Sequence, residues 1–200
     1  MSGMTRTEIV NLALRHLGAT RVEDWAETQP EAIVMRDVWD QGRRMTLGRH
    51  GWQFAMTGAE LALSAFTPPT RYAYRYSLPV DFVRLDAVSD SDTMEPPLDM
   101  GQGFVMRNGY LDCSSTRVWI EYVYDAPIEG VWPPHFVSVM AVDLASMAAG
   151  SLKSTTEHER FEKLLAKALS EAISTDSAQQ KVQFRRPGPW RMAARGAWRG

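Results

Sequence analysis

Phe161, Leu164, Leu165, Ala168, Leu169, Ala172 and Ile173 fall at i, i+3, i+4, i+7, i+8, i+11 and i+12. That spacing lays one continuous apolar stripe along a helix, and such a stripe must be buried against a partner. The rest of the chain is therefore read for what can cover it. Ile9, Leu12, Ala13 and Leu17, with His16 on the same stripe, predict a helix opened by the capping box Thr5-Arg6-Thr7-Glu8 and closed by Gly18. Ala32, Met35, Val38 and Trp39 predict a second helix to about Gly48, with Thr28-Gln29-Pro30-Glu31 as its capping box. Phe136, Val137, Met140, Leu144, Met147 and Ala148 mark a third up to Gly150, and Ser154-Thr155-Thr156-Glu157 caps the fourth.

Between the second and third helices the period changes to two. Tyr72 to Tyr76 alternates as a half-buried strand does, Phe82 to Val88 and Val118 to Tyr124 read as further strands, and Asn108-Gly109 is a hairpin signal. Residues 89–103, rich in Asp, Ser, Pro and Gly, read as a long mobile loop. The expected fold class is α+β: a four-helix bundle-like body from residues 1–50 and 132–180, a β-rich domain inserted over 51–131, and an extended tail over 181–200.

That tail, KVQFRRPGPWRMAARGAWRG, has six cations and no acid. The whole chain has 22 basic and 24 acidic residues; without the tail, 16 basic stand against 24 acidic, a body at −8 and a tail at +6. Pro187-Gly188-Pro189 stops a helix from continuing through it. Arg and Trp are the side chains that anchor protein interfaces. Arg185, Arg186, Trp190, Arg191, Arg195, Trp198 and Arg199 are thus candidate docking residues.

Catalytic signatures are absent: no P-loop, no Gly-x-Gly-x-x-Gly, no Gly-x-Ser-x-Gly and no His-Glu-x-x-His. His16, His50, His135 and His158 lack a second His or Cys at metal spacing, so neither metal nor cofactor is expected, and no enzyme activity. The single Cys113 suits a reducing compartment and reads as a half-buried strand or turn thiol. No uninterrupted apolar run approaches the roughly 18 residues of a membrane span, and MSGMTRTEIV lacks a signal peptide's apolar stretch, so a soluble, non-secreted chain is expected. Nucleic-acid binding through the cationic, aromatic tail is the rival reading. An acidic body, which repels a polyanion, and a linker from Gly18 to Thr28 too long for a helix-turn-helix weigh against it.

Four stretches occur in order: Asn11 to Ala19 (NLALRHLGA), His50 to Ala55 (HGWQFA), Tyr76 to Arg84 (YSLPVDFVR) and Trp132 to Phe136 (WPPHF). In that order and spacing they resemble the head-to-tail adaptor family of short-tailed bacteriophages, also called tail tubular protein A or gatekeeper proteins. The resemblance covers about residues 5 to 178 and leaves the tail unmatched. It implies a helical bundle carrying a β-rich domain, and a homo-oligomeric ring, usually of about twelve copies, under a portal protein. It also implies that the ring joins the portal to a tail nozzle or tail tube protein at the head-tail junction of a virion. Genomic DNA then passes through the channel without sequence-specific binding, and no membrane is involved. A family C-terminal segment reaches toward the portal, which makes the tail of this chain a candidate for that arm. A head completion protein without direct tail contact is the alternative within the same particle. A ring needs two unlike faces on each copy; Arg36, Arg43, Arg44 and Arg49 are expected on one, and Glu157, Glu159 and Glu162 on the other. The tyrosines of the β region serve either as contacts for the next tail component or as the packed face of the sheet.

Overall fold

The computed structural model describes residues 3–69, 71–152 and 158–183. The chain is α+β, with four α-helices and two antiparallel sheets among the described residues. Helix α1 spans Arg6–Leu17, α2 Pro30–Gly48, α3 Pro134–Leu152 and α4 His158–Gln183. Strands β1 (Met56–Glu60), β2 (Ala62–Leu63), β3 (Tyr74–Ser77), β4 (Phe82–Ser89), β5 (Phe104–Arg107), β6 (Tyr110–Cys113) and β7 (Trp119–Tyr124) lie between α2 and α3. One sheet has the order β1-β7-β4, the other β2-β3-β6-β5.

The capping box at α1 forms as expected. Glu8 N–H donates to Thr5 Oγ1 at 3.3 Å, and Thr5 N–H donates to Glu8 Oε2 at 2.7 Å. The Thr5 backbone N–H and then its hydroxyl hold the Glu8 carboxyl below the usual glutamate range. A carboxyl lowered by folding stabilises the native state above the unfolded-chain value, and that contribution fades as pH falls through the folded value. In Thr5→Ala the Glu8 titration, followed by side-chain NMR, is expected to move up toward the ordinary glutamate range. The acid limb of the stability profile should flatten with it. The box expected at Thr28 does not form. The N-cap is Gln29, without a side-chain bond, because Pro30 takes the first helical position that its fixed φ favours and leaves Thr28 outside.

Helix α3 packs against α1, α2 and α4, and it carries the richest run of buried residues. By length and composition it is apolar enough to cross a bilayer, which the sequence reading did not anticipate because Ser138, Asp143 and Ser146 interrupt the run. Here 56% of it is buried inside the protein, and its Asp143 is paired with an arginine. It is the central helix of a core formed by Ile9, Leu14, Met35, Trp39, Leu47 and Phe161, among others. Aromatic rings run through that core in sequence of contact: Trp25 to Trp39 at 5.3 Å, Trp39 to Trp132 at 5.9 Å, Trp132 to Phe136 at 5.3 Å and Phe136 to Trp52 at 5.2 Å. Edge-to-face and offset contacts of this kind fix ring orientation as well as burying area.

A second core lies between the sheets: Leu61, Tyr76, Val88, Phe104, Leu111, Ile120 and Tyr122. Strand β7 serves both. Successive strand side chains point to opposite faces, so Ile120 and Tyr122 enter the inter-sheet core while Val123 enters the helical one. Trp52, Ala55 and Ala126 also lie in the helical core. The Asn108-Gly109 hairpin joins β5 to β6, with φ of 51° and 77°, the left-handed pair that such a two-residue turn requires.

Candidate docking surfaces

Arginines on and after α2 were the expected contact face, and three of the four turn back into their own chain. Arg43 Nε and Nη2 donate to Asp125 at 2.8 and 3.1 Å, and its Nη1 to Asp40 at 2.7 Å. Arg49 Nη2 and Nε donate to Asp143 at 2.7 and 2.9 Å, and Asp143 also accepts from Thr46 Oγ1 at 2.8 Å. Arg36 Nη1 donates to the Trp25 and Glu27 carbonyls at 2.6 and 2.7 Å, tying down the loop between α1 and α2. Arg44 is different: its side chain is 53% exposed, and its contact with Asp125 is a loose 3.8 Å. The acceptors Asp125 and Asp143 lie 82 and 94 residues downstream, which is why a helix-by-helix count of cations could not place them. Glu159 and Glu162 are exposed on α4. Glu157 and all of Arg185, Arg186, Trp190, Arg191, Arg195, Trp198 and Arg199 lie outside the described residues.

Asp176, 2% exposed on α4, is a buried polar node that sequence reading missed. Its carboxylate accepts from Gln53 N–H at 3.2 Å and lies 3.2 Å from His50 Nε2 and 3.3 Å from His135 Nε2. It thereby joins α4 to the turn after α2 and to the start of α3. Its signal was faint: a lone aspartate close to an apolar stripe, with histidines more than 40 residues away. Arg75 and Asp112 form a comparable pair in the second sheet, with Nε at 2.7 Å and Nη2 at 2.9 Å from the two carboxylate oxygens.

Among the described residues no group of three or more His, Cys, Asp and Glu is placed to hold a metal ion. Burial raises the pKa of the Cys113 thiol, so it is a core residue in chemistry as well as position, rather than the half-buried one expected. Open hollows of about 570 and 760 Å3 flank the outer face of α1 and share Glu8, Asn11 and Arg21. A third, of about 330 Å3, lies where α1, α3 and α4 meet and includes His16, whose pKa is lowered by burial and then by Arg15 and Arg160.

The tyrosines belong to the packed face. Tyr72, Tyr76 and Tyr122 are buried and Tyr74 and Tyr124 half-buried. The loop over 89–103 is strapped down: Leu98 N–H donates to Val88 O at 2.7 Å, Ser89 Oγ to Pro96 O at 3.0 Å, and Tyr72 OH to Gln102 O at 3.1 Å. Among the residues the β region exposes are large apolar ones, Leu63, Phe66, Val80 and Met100. Neither a family model nor a curated protein matches the chain.

Proposed function

We propose that this chain is a structural, non-enzymatic adaptor at the head-tail junction of a phage-like particle. The reading takes α1 to α4 as a bundle-like body and residues 51–131 as a β-rich elaboration inserted in it. Copies associate in a ring of about twelve. The ring docks on a portal protein through the cationic, tryptophan-bearing tail. The exposed apolar residues of the β region then suit the next component, a tail nozzle or tail tube protein. Genomic DNA passes through the ring, and the acidic body keeps it from sticking.

The observation that carries the reading is the division of charge, −8 on residues 1–180 and +6 on the last twenty, with Trp190 and Trp198 in the cationic part. A folded acidic body beside a short basic segment with aromatic anchors is built to be held by another protein. The resemblance of residues 5 to 178 to head-to-tail adaptors supplies the identity of that protein. Electron microscopy of the purified protein, alone and mixed with a portal, tests it. Rings seated coaxially on the portal are expected; single copies in both samples would refute the assignment.

A further inference from the structure

With Arg36, Arg43 and Arg49 committed to their own chain, what α2 offers outward is a different set of residues. Ile33, Asp37, Asp40 and Arg44 are all exposed. Spaced by four, three and four, they form one stripe on a helix of 3.6 residues per turn. Helix α4 offers Glu159, Lys163, Lys167 and Ser170, also exposed and also on one stripe. Both helices pack chiefly on α3, so each turns its outer face away from the body.

We infer that the α2 stripe of one copy docks antiparallel on the α4 stripe of the next, and that this is the repeating contact of the ring. The inference rests on the ring reading and adds the faces and the register. Its basis is charge order. Along α2 from Arg44 toward its N-terminus, the next charge is Asp40 at about 6 Å and then Asp37 at about 10 Å, with Ile33 at about 16 Å. Along α4 from Glu159 toward its C-terminus, Lys163 stands at about 6 Å, Lys167 at about 12 Å and Ser170 at about 16 Å. Laid antiparallel, the stripes pair Arg44 with Glu159, Asp40 with Lys163 and Asp37 with Lys167, and set Ile33 against the small Ser170. The parallel arrangement also finds three charge pairs, with Glu171 replacing Glu159 opposite Arg44. It places Ile33 on a carboxylate, Glu159, and aligns the helix dipoles instead of opposing them.

Local partners do not prevent the exchange. Arg44 is held by Asp125 only at 3.8 Å, Lys167 by Glu171 only at 4.0 Å, and Asp40 remains 79% exposed while it touches Arg43. Exposed pairs are weak singly, and two helix faces bury less than the ~1,000 Å² a stable interface needs. Charge order across such a contact therefore fixes register and partner, and closing the ring, with two contacts per copy, supplies the persistence.

Sedimentation velocity and electron microscopy on the full-length chain test this. Arg44→Glu is expected to raise the concentration needed for ring formation roughly tenfold or more, by placing like charges together. Adding Glu159→Arg to that variant is expected to restore rings, while adding Glu171→Arg is not. Restoration by Glu171→Arg alone would overturn the antiparallel register. Rings that form normally in Arg44→Glu would overturn the interface and leave the ring standing. A wild-type chain that forms no ring, alone or with a portal, would remove both.

Discussion

A chain ending at Gln183 is expected to fold as the full-length protein does and to lose portal binding. The core supports the first half. Among the described residues the last buried ones are Ala172 and Asp176, both on α4 before the cut. Unfolding free energy should therefore change by no more than about 0.5 kcal/mol, as for surface changes away from the core. The 17 residues removed carry five of the six tail cations and both tail tryptophans. Docking through such a segment draws on several anchors acting together, and deleting all of them leaves nothing measurable. Individually, Trp190→Ala and Trp198→Ala are expected to cost about 2 kcal/mol each, roughly 30-fold in Kd. Exchanging the tail arginines for lysines keeps the charge and removes the planar fork that grips carboxylates. Weakened binding in that variant marks bidentate recognition; unchanged binding marks net charge alone. Calorimetry with a purified portal gives all three numbers. A truncated chain that docks as the intact one does would sink the tail assignment. If the intact chain instead binds duplex DNA in a strongly salt-dependent way and the truncated one does not, the nucleic-acid reading takes its place.

Arg49→Met should be among the most damaging single changes in the body. Asp143 sits on α3 with its side chain 1% exposed, and its two oxygens are taken by the Arg49 guanidinium and the Thr46 hydroxyl. Removing the arginine leaves a carboxylate in a dry core with one neutral donor. Breaking a buried ion pair from one side costs about 3–5 kcal/mol, which for a chain of this size is roughly 10 °C in Tm. The double variant Arg49→Met with Asp143→Leu is expected to recover most of that loss, since apolar side chains of similar volume replace buried pairs at little cost. Urea denaturation of the two variants and the parent reads both effects. A single variant as stable as the parent would mean that water reaches Asp143 and that the pair is no part of the core.

That same aspartate shows where sequence reading stops. A helical period marks which face of α3 is buried, and on that basis Phe136, Met140 and Leu144 were placed correctly. A carboxylate in the middle of the face has no local explanation, because its partners Thr46 and Arg49 lie on and just after another helix. The same holds for Asp176, whose imidazole neighbours come from two other segments. Local signals succeeded where the cause is local: Thr5 and Glu8 cap each other three residues apart, and Asn108-Gly109 makes its own turn. Strands β1 and β2 were missed because Met56-Thr57-Gly58-Ala59-Glu60 does not alternate cleanly and Ala62-Leu63 is too short to show a period. They are strands because β7 and β3 pair with them. Of the candidate contact residues, Arg44, Glu159 and Glu162 are the exposed ones among the described residues, and exposure depends on the whole fold.

Strand β7 has a mechanical consequence. Because its alternate side chains are shared between the two cores, the β1-β7-β4 sheet cannot swing against the helices without pulling Val123 out of one or Ile120 out of the other. A displacement of this one strand is therefore felt on both of its sides at once.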